Sequence, residues 1–421
     1  MITRRPDTVA VYADPAYFDK PSMMGWLSCR TSRAGDIFSF EYDPAWLRTP
    51  EAFSFDPDLA LVNGPQYPAT GRANFGIFLD SSPDRWGRVL MQRRENMRAR
   101  REGRRARLLT EWDFLLGVHD ETRLGALRFQ DPDTLRFIDS DDDFAAPPIS
   151  SLRELQSASL QFEDHADEEE HPDYERWLMQ LFAPGTSLGG ARPKASVRDE
   201  EGMLCLAKFP SRQDRRDVGG WELVAHRLAA KAGINVPWAR ALRLADSSYT
   251  TFLARRFDRT PPGRRLAFVS AMTLTQRSDG EAGASYLELV DLLQSRGSNT
   301  HADCVELFRR VVFSILIRNT DDHLRNHGFL IGRQGISLSP AYDINPSNDR
   351  DELSLAINEV DTACDVSIAL DAHADYGLSK IEADEVYAQC ALAVASWRSE
   401  ATRLRISKAE QDLMASAFAP Y

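Results

Sequence analysis

The most informative segment of the chain reads Asn319-Thr320-Asp321-Asp322-His323-Leu324-Arg325-Asn326-His327-Gly328-Phe329, and Tyr342-Asp343-Ile344-Asn345 adds another carboxylate shortly after it. An aspartate, an asparagine five residues later, a hairpin and a further aspartate follow the order that phosphoryl transfer from Mg-ATP requires. In that chemistry the first aspartate accepts the proton of the substrate hydroxyl, and the other two side chains hold the metal. The segment therefore predicts Asp321 as proton acceptor and Asn326 and Asp343 as magnesium ligands.

The elements around this segment suit that arrangement. An apolar face at helical spacing precedes it and predicts a buried helix with no chemistry of its own. This face consists of Val305, Leu307, Phe308, Val311, Val312, Ile315 and Leu316. After the segment, two apolar runs flank Gly332-Arg333-Gln334-Gly335 and predict a β-hairpin. The hairpin would hold Asn326 and Asp343 on a rigid element, so that both can reach one magnesium ion.

The residue types of this segment also fit two rival hypotheses. Aspartate and asparagine commonly cap helices and form turns, so any one of them taken alone fits a purely structural role. A second hypothesis treats His323 and His327 as ligands of a transition metal, together with Asp321 or Asp322. We favour magnesium, because ligands four residues apart need one face of a helix and this segment is predicted to be a loop.

A glycine-rich loop lies upstream, at Gly185-Thr186-Ser187-Leu188-Gly189-Gly190-Ala191-Arg192-Pro193-Lys194. Glycines permit the close backbone approach that phosphates need, although the loop lacks the Gly-Lys-Ser/Thr ending of a P-loop. A solvent-exposed turn is the alternative. The loop leads into Ala195-Ser196-Val197, which continues towards a second strand-like run.

That second run, Leu204 to Phe209, contains Lys208 where a kinase keeps the lysine that pairs with the α- and β-phosphates. The next helix is predicted to start near Gly219-Gly220 and to end at Gly233. Glu222 in its first turn is the candidate ion-pair partner that would orient Lys208. A surface glutamate favoured by the helix dipole is an equally good interpretation.

The rest of the chain predicts further modules. Val9 to Tyr12 and Ile37 to Tyr42 are strand-like, and Trp86 to Met97 is helix-like, so the first 130 residues predict a small α+β module. The acidic segment from Glu163 to Asp173 predicts an exposed loop. Phe252 to Arg259 begins as a strand and runs into a proline turn, where an adenine-binding hinge would lie.

Composition excludes several classes of protein. The chain has 421 residues, enough for two or three domains, and its formal net charge of -12 argues against non-specific nucleic-acid binding. Its five cysteines lack Cys-x-x-Cys spacing, so we expect reduced thiols with neither disulfide nor zinc site. No apolar run reaches membrane-spanning length and no signal-peptide core is present, so we expect a cytoplasmic protein with no membrane contact.

Several motifs together resemble the HipA family of serine/threonine kinases. They are Thr320 to Asn326 with Tyr342-Asp343, then Arg256-Phe257-Asp258-Arg259, and finally Phe75-Gly76-Ile77-Phe78-Leu79-Asp80-Ser81-Ser82-Pro83-Asp84-Arg85-Trp86-Gly87-Arg88. The resemblance covers nearly the whole chain and implies an α+β, two-lobed protein-kinase-like (HipA-type) fold with a small N-terminal α+β subdomain. The implied division is 1–150 for that subdomain, 151–265 for the kinase N-lobe and 266–421 for the helical C-lobe.

The resemblance also implies roles for individual residues. Asp321 is expected to accept the proton, Asn326 and Asp343 to bind Mg2+, and Ser187 to be autophosphorylated, which switches the kinase off because a dianion would repel the ATP phosphates. The residues expected to bind ATP are Gly189, Gly190, Ala191, Arg192, Pro193, Lys194, Lys208, Glu222, Arg255, Arg256, Phe257, Asp258, His323, Leu324, Arg325, Asn326, Tyr342 and Asp343. Asp322, where glycine often stands in the family, would either repel ATP or help to hold a second metal.

Members of the family are toxins of bacterial type II toxin-antitoxin modules. The resemblance therefore implies a HipB-like helix-turn-helix antitoxin as partner and a protein of the translation machinery, such as an aminoacyl-tRNA synthetase, as substrate. Two alternatives remain, a small-molecule kinase of the aminoglycoside-phosphotransferase type and a catalytically silent co-repressor. The first usually has His-Gly before its aspartate, where Asn319-Thr320 stand here.

Eight arginines and two glutamates between Arg93 and Arg107 form the strongest basic cluster of this acidic chain. A structural interpretation of the cluster is a solvated helix face. A functional interpretation is a local contact with operator DNA or with the acidic surface of an antitoxin.

Overall fold

The computed structural model describes residues 6–32, 35–50, 52–54, 56–140, 145–165, 171–182, 190, 192–244, 247–261 and 263–418. The chain forms two compact units: the first comprises Met1–Arg212 and Asp258–Val269, and the second comprises Gln213–Phe257 and Ser270–Tyr421. Both contain helices and strands, which confirms the predicted α+β class. The unit boundaries differ from those of the three predicted segments, and that functional division stays a prediction.

The first unit combines an antiparallel sheet with helices. Its strands are β1 (Thr8–Ala13), β2 (Ser22–Ser32), β3 (Gly35–Tyr42), β4 (Leu127–Gln130), β5 (Lys194–Arg198) and β6 (Leu204–Lys208). Its helices are α1 (Pro44–Leu47), α2 (Gly76–Asp80), α3 (Arg85–Arg101), α4 (Glu111–Leu116), α5 (Leu152–Asp164) and α6 (Tyr174–Phe182). The sheet has the order β3-β2-β1-β4, and β5 pairs antiparallel with β6.

Sequence patterns predicted β1 and β3 of this sheet but not β2, which lies between them. Gly25 lies inside β2, and a glycine inside a strand weakens the strand signal. The structure explains this glycine by the close approach of β3, because a Cβ at Gly25 would lie 2.1 Å from the carbonyl oxygen of Glu41. The glycine therefore belongs to the strand and does not interrupt it.

A buried cluster joins α3, α5 and α6. It consists of Trp86, Leu90, Ala158, Phe162, Tyr174, Trp177, Leu178 and Leu181. α3 confirms the helix predicted from Trp86 to Met97, and it begins after Asp84, whose Oδ1 accepts a hydrogen bond of 2.8 Å from the amide of Gly87. Because α6 leads into the glycine-rich loop, the cluster packs the helix before that loop against the N-terminal end of α3.

The exposed loop predicted from Glu163 to Asp173 is wrong at its start. α5 continues to Asp164, and Glu163 accepts hydrogen bonds from the hydroxyl of Ser211 (2.7 Å) and from the amide of Arg212 (2.9 Å). Acidic composition suggested a solvated segment, but a carboxylate with two donors is stable at the end of a helix.

The second unit is mainly helical. Its helices are α7 (Val218–Lys231), α8 (Ala271–Leu274), α9 (Tyr286–Arg296), α10 (Thr300–Leu316), α11 (Val366–Asp371), α12 (Lys380–Ala395), α13 (Trp397–Arg403) and α14 (Lys408–Leu413). Its strands are β7 (Ala239–Leu242), β8 (Thr251–Arg255), β10 (Gly328–Gly332) and β11 (Gly335–Leu338), while β9 (Ala267–Ser270) lies where the sequence passes from the first unit to the second. β7 pairs antiparallel with β8, and β10 with β11.

α10 is the predicted core helix, and its apolar face is buried except at Val305, which is partly exposed. It packs against α9, α11 and α12, so its C-terminal end is held firmly where the Asp321 segment begins. The predicted hairpin is also confirmed, since Gly332 pairs with Gly335 and only Arg333 and Gln334 form the turn.

α7 confirms the predicted helix, but its first turn lies earlier than expected. The helix begins at Val218, after Asp217, whose Oδ1 accepts from the amide of Gly220 (3.1 Å). Glu222 therefore lies beyond the first turn, and it is buried with 4% exposure. The alternative of a surface glutamate favoured by the helix dipole is wrong.

The structure also bears on the expectations from composition. None of the helices in the described ranges has the length and apolar character needed to cross a bilayer. The five cysteines are free thiols with buried side chains. Burial raises the pKa of Cys390 to about 12, and a thiol of this kind is unreactive at neutral pH.

Candidate active site

The predicted catalytic loop follows α10 in the second unit. Arg318 adopts a left-handed conformation (φ 49°) just after the helix, and the loop begins there. The two adjacent aspartates of the loop lie in different environments, because Asp321 is exposed and Asp322 is buried with 4% exposure. The carboxylate of Asp321 is thus accessible to the hydroxyl of a substrate.

Asn326 closes this loop. It ends a short 3-10 turn, Leu324–Asn326, and its Nδ2 donates a hydrogen bond of 3.0 Å to the carbonyl oxygen of Asp321. Because the amide nitrogen acts as the donor, the amide oxygen is the atom that can bind a metal. The structure therefore brings together Asp321 and Asn326 through a direct contact.

The segment that contains Asp343 is connected to the same loop. The hydroxyl of Tyr342 donates to the carbonyl oxygen of Arg325 (2.6 Å), and the amide of Asn345 donates to Oδ1 of Asn319 (3.2 Å). Asp343 itself has a left-handed backbone (φ 57°), and Nδ2 of Asn345 donates to its Oδ1 (3.0 Å). Asp343 is consequently held beside the loop, in a defined orientation.

Sequence reasoning did not identify Asn319 and Asn345 as parts of the site. Asn319 is buried with 3% exposure, and its side chain connects the two segments. In the sequence both residues look like ordinary loop asparagines, and only the fold reveals that Asn319 accepts from the backbone of Asn345 and that Asn345 donates to the carboxylate of Asp343.

Asn326 and Asp343 are suitable ligands for magnesium, which prefers hard oxygen donors. The rival hypothesis of a transition-metal site finds less support. No group of three or more His, Cys, Asp or Glu side chains that could hold a metal occurs in the described ranges. His327 lies beside Asp322, with 2.9 Å between Nε2 and Oδ1.

Asp322 is the centre of a buried polar network. Its Oδ2 accepts hydrogen bonds from the hydroxyls of Tyr286 (2.6 Å) and Ser314 (3.2 Å), and its Oδ1 contacts His327. Burial acts to raise the pKa of Asp322, but His327 and the two hydroxyl donors together hold that pKa below the usual range. The carboxylate thus faces the interior of the second unit, and both expected roles, repelling ATP and binding a second metal, stay predictions.

The predicted adenine hinge contacts the Asp343 segment through an aromatic pair. The ring of Phe257 stacks on Tyr342, with centroids 5.1 Å apart and an interplanar angle of 24°. Upstream, the amide of Arg255 donates to the carbonyl oxygen of Trp238 (2.9 Å), and its guanidinium lies 5.0 Å from the centre of the indole ring. Arg256, which lies between Arg255 and Phe257 in the sequence, is buried.

The last two residues of the Arg256-Phe257-Asp258-Arg259 motif belong to the first unit. Asp258 accepts a hydrogen bond from the amide of Gly125 (2.8 Å) and forms an ion pair with Arg259 (2.5 Å). Both side chains are buried and stabilise the first unit. A contact between Asp258 and ATP stays a prediction.

Only the end of the glycine-rich loop can be described, because Ser187, Gly189 and Ala191 lie outside the described residues. Gly190 has a φ of 92°, which favours glycine, and its carbonyl oxygen accepts from Nζ of Lys194 (3.2 Å). Nζ of Lys194 also lies 2.9 Å from Oδ2 of Asp84, and the two side chains are 1% and 3% exposed. The loop end is therefore attached to the N-cap of α3 by a buried ion pair.

Lys194 and Lys208 are direct partners across β5 and β6. Side chains at such positions lie on the same face of the sheet with their Cβ atoms about 4.5–5.5 Å apart. Both lysines are buried, and the charge of Lys194 is balanced by Asp84, so Lys208 is the lysine predicted to meet phosphate. Glu222, the predicted partner of Lys208, belongs to the second unit, and this ion pair stays a prediction.

The structure also describes the neighbours of the remaining residues that are expected to bind ATP. Arg192 precedes β5, and the carbonyl oxygen of Pro193 accepts from the amide of Phe209 (2.9 Å). His323 and Leu324 belong to the catalytic loop described above. Their contacts with a nucleotide stay predictions.

The arginine-rich stretch lies on α3 and in the chain that follows it. Several of its arginines form ion pairs with carboxylates of the same unit. These pairs are Arg101 with Glu175, Arg104 with Glu95 and Glu102 (2.6 Å each), and Arg107 with Asp113 (2.6 Å). Part of the positive charge is therefore balanced internally, and contact with DNA or antitoxin stays a prediction.

Comparison with solved structures defines the class of this fold. A chain of the Shewanella oneidensis MR-1 toxin-antitoxin complex of HipA, HipB and operator DNA matches 97% of this chain and 95% of its own length, with a TM-score of 0.64 and 16% identity. At this identity the likeness concerns the fold alone, and it confirms the predicted two-lobed, protein-kinase-like α+β class.

Sequence comparison then identifies the family. The family model for the HipA-like C-terminal domain matches residues 186–398, more than half of the chain. The chain belongs to the HipA family.

Two curated relatives match a part of this chain. A Haemophilus influenzae protein named "Putative kinase" is 26% identical over 180 residues, which cover 38% of this chain and 52% of that protein. A Sinorhizobium fredii protein named "Putative kinase Y4dM" is 30% identical over 153 residues, covering 33% and 36%. The chain thus spans about half the length, or less, of the curated relatives that it matches.

Proposed function

We propose that this protein is a serine/threonine-protein kinase that transfers the γ-phosphate of ATP to a protein hydroxyl. The observation that carries the proposal is the pair of hydrogen bonds, Tyr342 to Arg325 and Asn345 to Asn319, that connects the Asp343 segment to the loop of Asp321. Phosphoryl transfer needs a proton acceptor and two oxygen ligands in neighbouring segments. Membership of the HipA family and two relatives named as kinases support the same activity.

Each residue has a defined task in this reaction. Asp321 accepts the proton of the attacking hydroxyl, since its carboxylate is exposed at the surface of the loop. Asn326 and Asp343 provide the oxygen ligands for Mg2+, and Phe257 and Tyr342 provide apolar surface for the adenine ring. When bound, Mg-ATP supplies the phosphoryl group and the metal charge that neutralises its oxygens.

A buried lysine takes the phosphates in this proposal. Lys208 meets the α- and β-phosphates, while Lys194, whose charge is paired with Asp84, holds the end of the glycine-rich loop. Autophosphorylation at Ser187, in that loop, would place a dianion close to the phosphates of ATP and lower its affinity. A Ser187→Asp protein that binds ATP as tightly as wild type would contradict this regulatory step.

The biological role proposed is that of a toxin in a HipBA-like type II module. The solved complex to which the fold is similar contains HipB and operator DNA, which supports a HipB-like helix-turn-helix antitoxin as partner and a DNA contact through the complex. The proposed substrate is a protein of the translation machinery, such as an aminoacyl-tRNA synthetase. It is the family resemblance that supports this substrate class.

The direct test is intact-mass spectrometry after incubation with Mg-ATP, followed by peptide mapping. We expect wild type to gain phosphate at Ser187 and Asp321→Asn to lose about 10²- to 10⁴-fold of the rate, the usual contribution of a positioned proton acceptor. Because Asp321 is exposed, the variant should keep the thermal midpoint of wild type.

Different results would favour the alternatives. Hydrolysis of ATP with no phosphate on protein, and with transfer to small hydroxyl compounds, would favour the small-molecule kinase. Neither hydrolysis nor transfer by phosphatase-treated wild type would favour the silent co-repressor, which antitoxin binding and operator binding could then test.

A further inference from the structure

The most unusual feature of the second unit is the burial of Asp322 beside the exposed Asp321. Its carboxylate is 4% exposed, although a buried carboxylate costs free energy unless it is paired and hydrogen-bonded. Two hydroxyl donors and a contact with an imidazole offset this cost. A charge maintained at such cost requires a physical reason, and the proposed reaction does not use it.

The three partners of Asp322 come from three different places in the fold. Tyr286 is the first residue of α9, Ser314 lies in the last turn of α10, and His327 follows the catalytic loop. The rings of Tyr286 and His327 meet edge to face, with centroids 5.5 Å apart. One carboxylate therefore connects two core helices to both ends of the short loop that contains Asp321 and Asn326.

His327 extends the network to a further element. Its carbonyl oxygen accepts a hydrogen bond of 2.9 Å from the amide of Ala271, the first residue of α8. Tyr286 is fully buried, and burial together with Asp322 raises its pKa well above the usual value, so it remains a hydroxyl donor at any pH of interest. The donors are thus available whenever the protein is folded.

Apolar contacts alone do not support the loop from below. A small, partly open cavity of about 20 Å³ adjoins the loop; its lining includes the polar side chains of Asn319, Asp322, Asn326 and His327 as well as apolar side chains. A space of this size holds about one water molecule. Because the loop rests partly on polar groups around this cavity, directional hydrogen bonds have to fix its position.

We propose that Asp322 is a positioning residue, whose buried charge anchors the catalytic loop so that Asp321 and Asn326 keep their reactive placement. This inference rests on the proposed kinase activity for its kinetic consequence, but its structural part stands without it. Asp322 touches neither substrate nor metal in this role. Asp322 acts indirectly, by fixing the position of the loop backbone before and after it.

The test compares Asp322→Asn with three other variants. Asn keeps the size of the side chain and removes its charge, while Tyr286→Phe and Ser314→Ala each remove one donor and leave the carboxylate. Asp321→Asn is the matched control, because it makes the same chemical change one residue away at an exposed position. The measurements are hydrogen exchange of the amides of 319–327, kcat and KM for ATP, and the thermal midpoint.

For Asp322→Asn we expect amide exchange in 319–327 to rise about 10- to 100-fold, the worth of a hydrogen bond to a charged group. We expect kcat to fall about 10- to 100-fold, as misplacement of about 1 Å does, with KM for ATP nearly unchanged. Tyr286→Phe and Ser314→Ala should change exchange and kcat in the same direction by less. Asp321→Asn should lower kcat and leave exchange at the wild-type level.

Each contrary outcome has a defined meaning. Wild-type exchange in Asp322→Asn, or a rise in KM for ATP at constant kcat, would overturn the proposal, the latter by showing an effect on nucleotide binding. If Asp322→Asn does not fold, the test relies on Tyr286→Phe and Ser314→Ala. Unchanged amide exchange of 319–327 in both variants would overturn the proposal. If wild type has no kinase activity, the proposed function fails, and the exchange data alone still decide whether Asp322 anchors the loop.

Discussion

Asp84→Asn should destabilise the first unit strongly, because it removes a buried carboxylate that pairs with a buried ammonium group. Nζ of Lys194 lies 2.9 Å from Oδ2 of Asp84, at 1% and 3% exposure of the two side chains. Lys208 is the direct cross-strand partner of Lys194, so the loss of Asp84 would also remove a carboxylate from a region with two buried lysines. The substitution therefore tests whether the end of the glycine-rich loop is fixed by this ion pair.

The structure allows the size of the effect to be worked out. Asp84 also caps α3 through Oδ1, but asparagine caps a helix about as well as aspartate, so that contribution is retained. Removing one partner of a buried pair costs about 3–5 kcal/mol of the free energy of unfolding. For a domain of 150–250 residues each kcal/mol shifts the thermal midpoint by about 2–4 °C, so we expect a decrease of roughly 6–20 °C.

The assay is thermal and urea unfolding followed by far-UV circular dichroism, with hydrogen exchange of the peptide around Gly190 as a local probe. Asp43→Asn is the matched control, since Asp43 caps α1 through a similar hydrogen bond at a more exposed position, and it should change stability by less than about 0.5 kcal/mol. Lys194→Met in the Asp84→Asn background should recover most of the loss, because a buried pair replaced by apolar groups is often neutral. A decrease of less than about 1 kcal/mol in Asp84→Asn would refute the reasoning.

Three further predictions concern single side chains. Asp343→Asn and Asp343→Ala should both abolish most of the phosphotransfer measured by mass spectrometry. Only the alanine variant should lower the free energy of unfolding in urea, by ~1 kcal/mol, because asparagine tolerates the left-handed backbone at φ 57°. Lys208→Met should raise KM for ATP about 10- to 100-fold in a coupled ATPase assay, since a charge-assisted contact with phosphate is lost. Glu95→Gln should lower the thermal midpoint at pH 7 and less so in acid: the hydrogen bond from Arg104 lowers the pKa of Glu95, so its stabilisation is present above pH 4.5 and is lost as pH falls through the lowered pKa.

Elements with strong local signals could be predicted from the sequence. α10 has an uninterrupted apolar face at helical spacing, and the β10–β11 hairpin has two apolar runs around a glycine-flanked turn. β2 could not be predicted in the same way, because its central Gly25 is explained only by the closeness of Glu41 on the next strand. A local pattern contains no information about which backbone will lie against it.

In the candidate site, too, only the features that depend on neighbouring residues could be predicted from the sequence. The order of Asp321, Asn326 and Asp343 is visible in the sequence, because the spacing of a loop and a hairpin is a local property. The sequence does not show that Asp321 is exposed and Asp322 buried, because this difference depends on Tyr286. Tyr286 precedes both aspartates by more than thirty residues and meets Asp322 only in the folded unit. The sequence therefore predicted both adjacent aspartates to act at the nucleotide site, although Asp321 is exposed and Asp322 is buried.

The arginine-rich stretch shows why charge in a sequence differs from charge at a surface. Between Arg93 and Arg107 the sequence contains two glutamates, but the fold adds carboxylates from outside the stretch, at Asp113 and Glu175. Any contact with DNA phosphates would have to displace these ion pairs or use the remaining arginines, and each displaced pair reduces the gain from the new contact. A DNA interface here should consequently show a weaker dependence on salt concentration than eight arginines would suggest, because fewer phosphates are neutralised than the sequence implies.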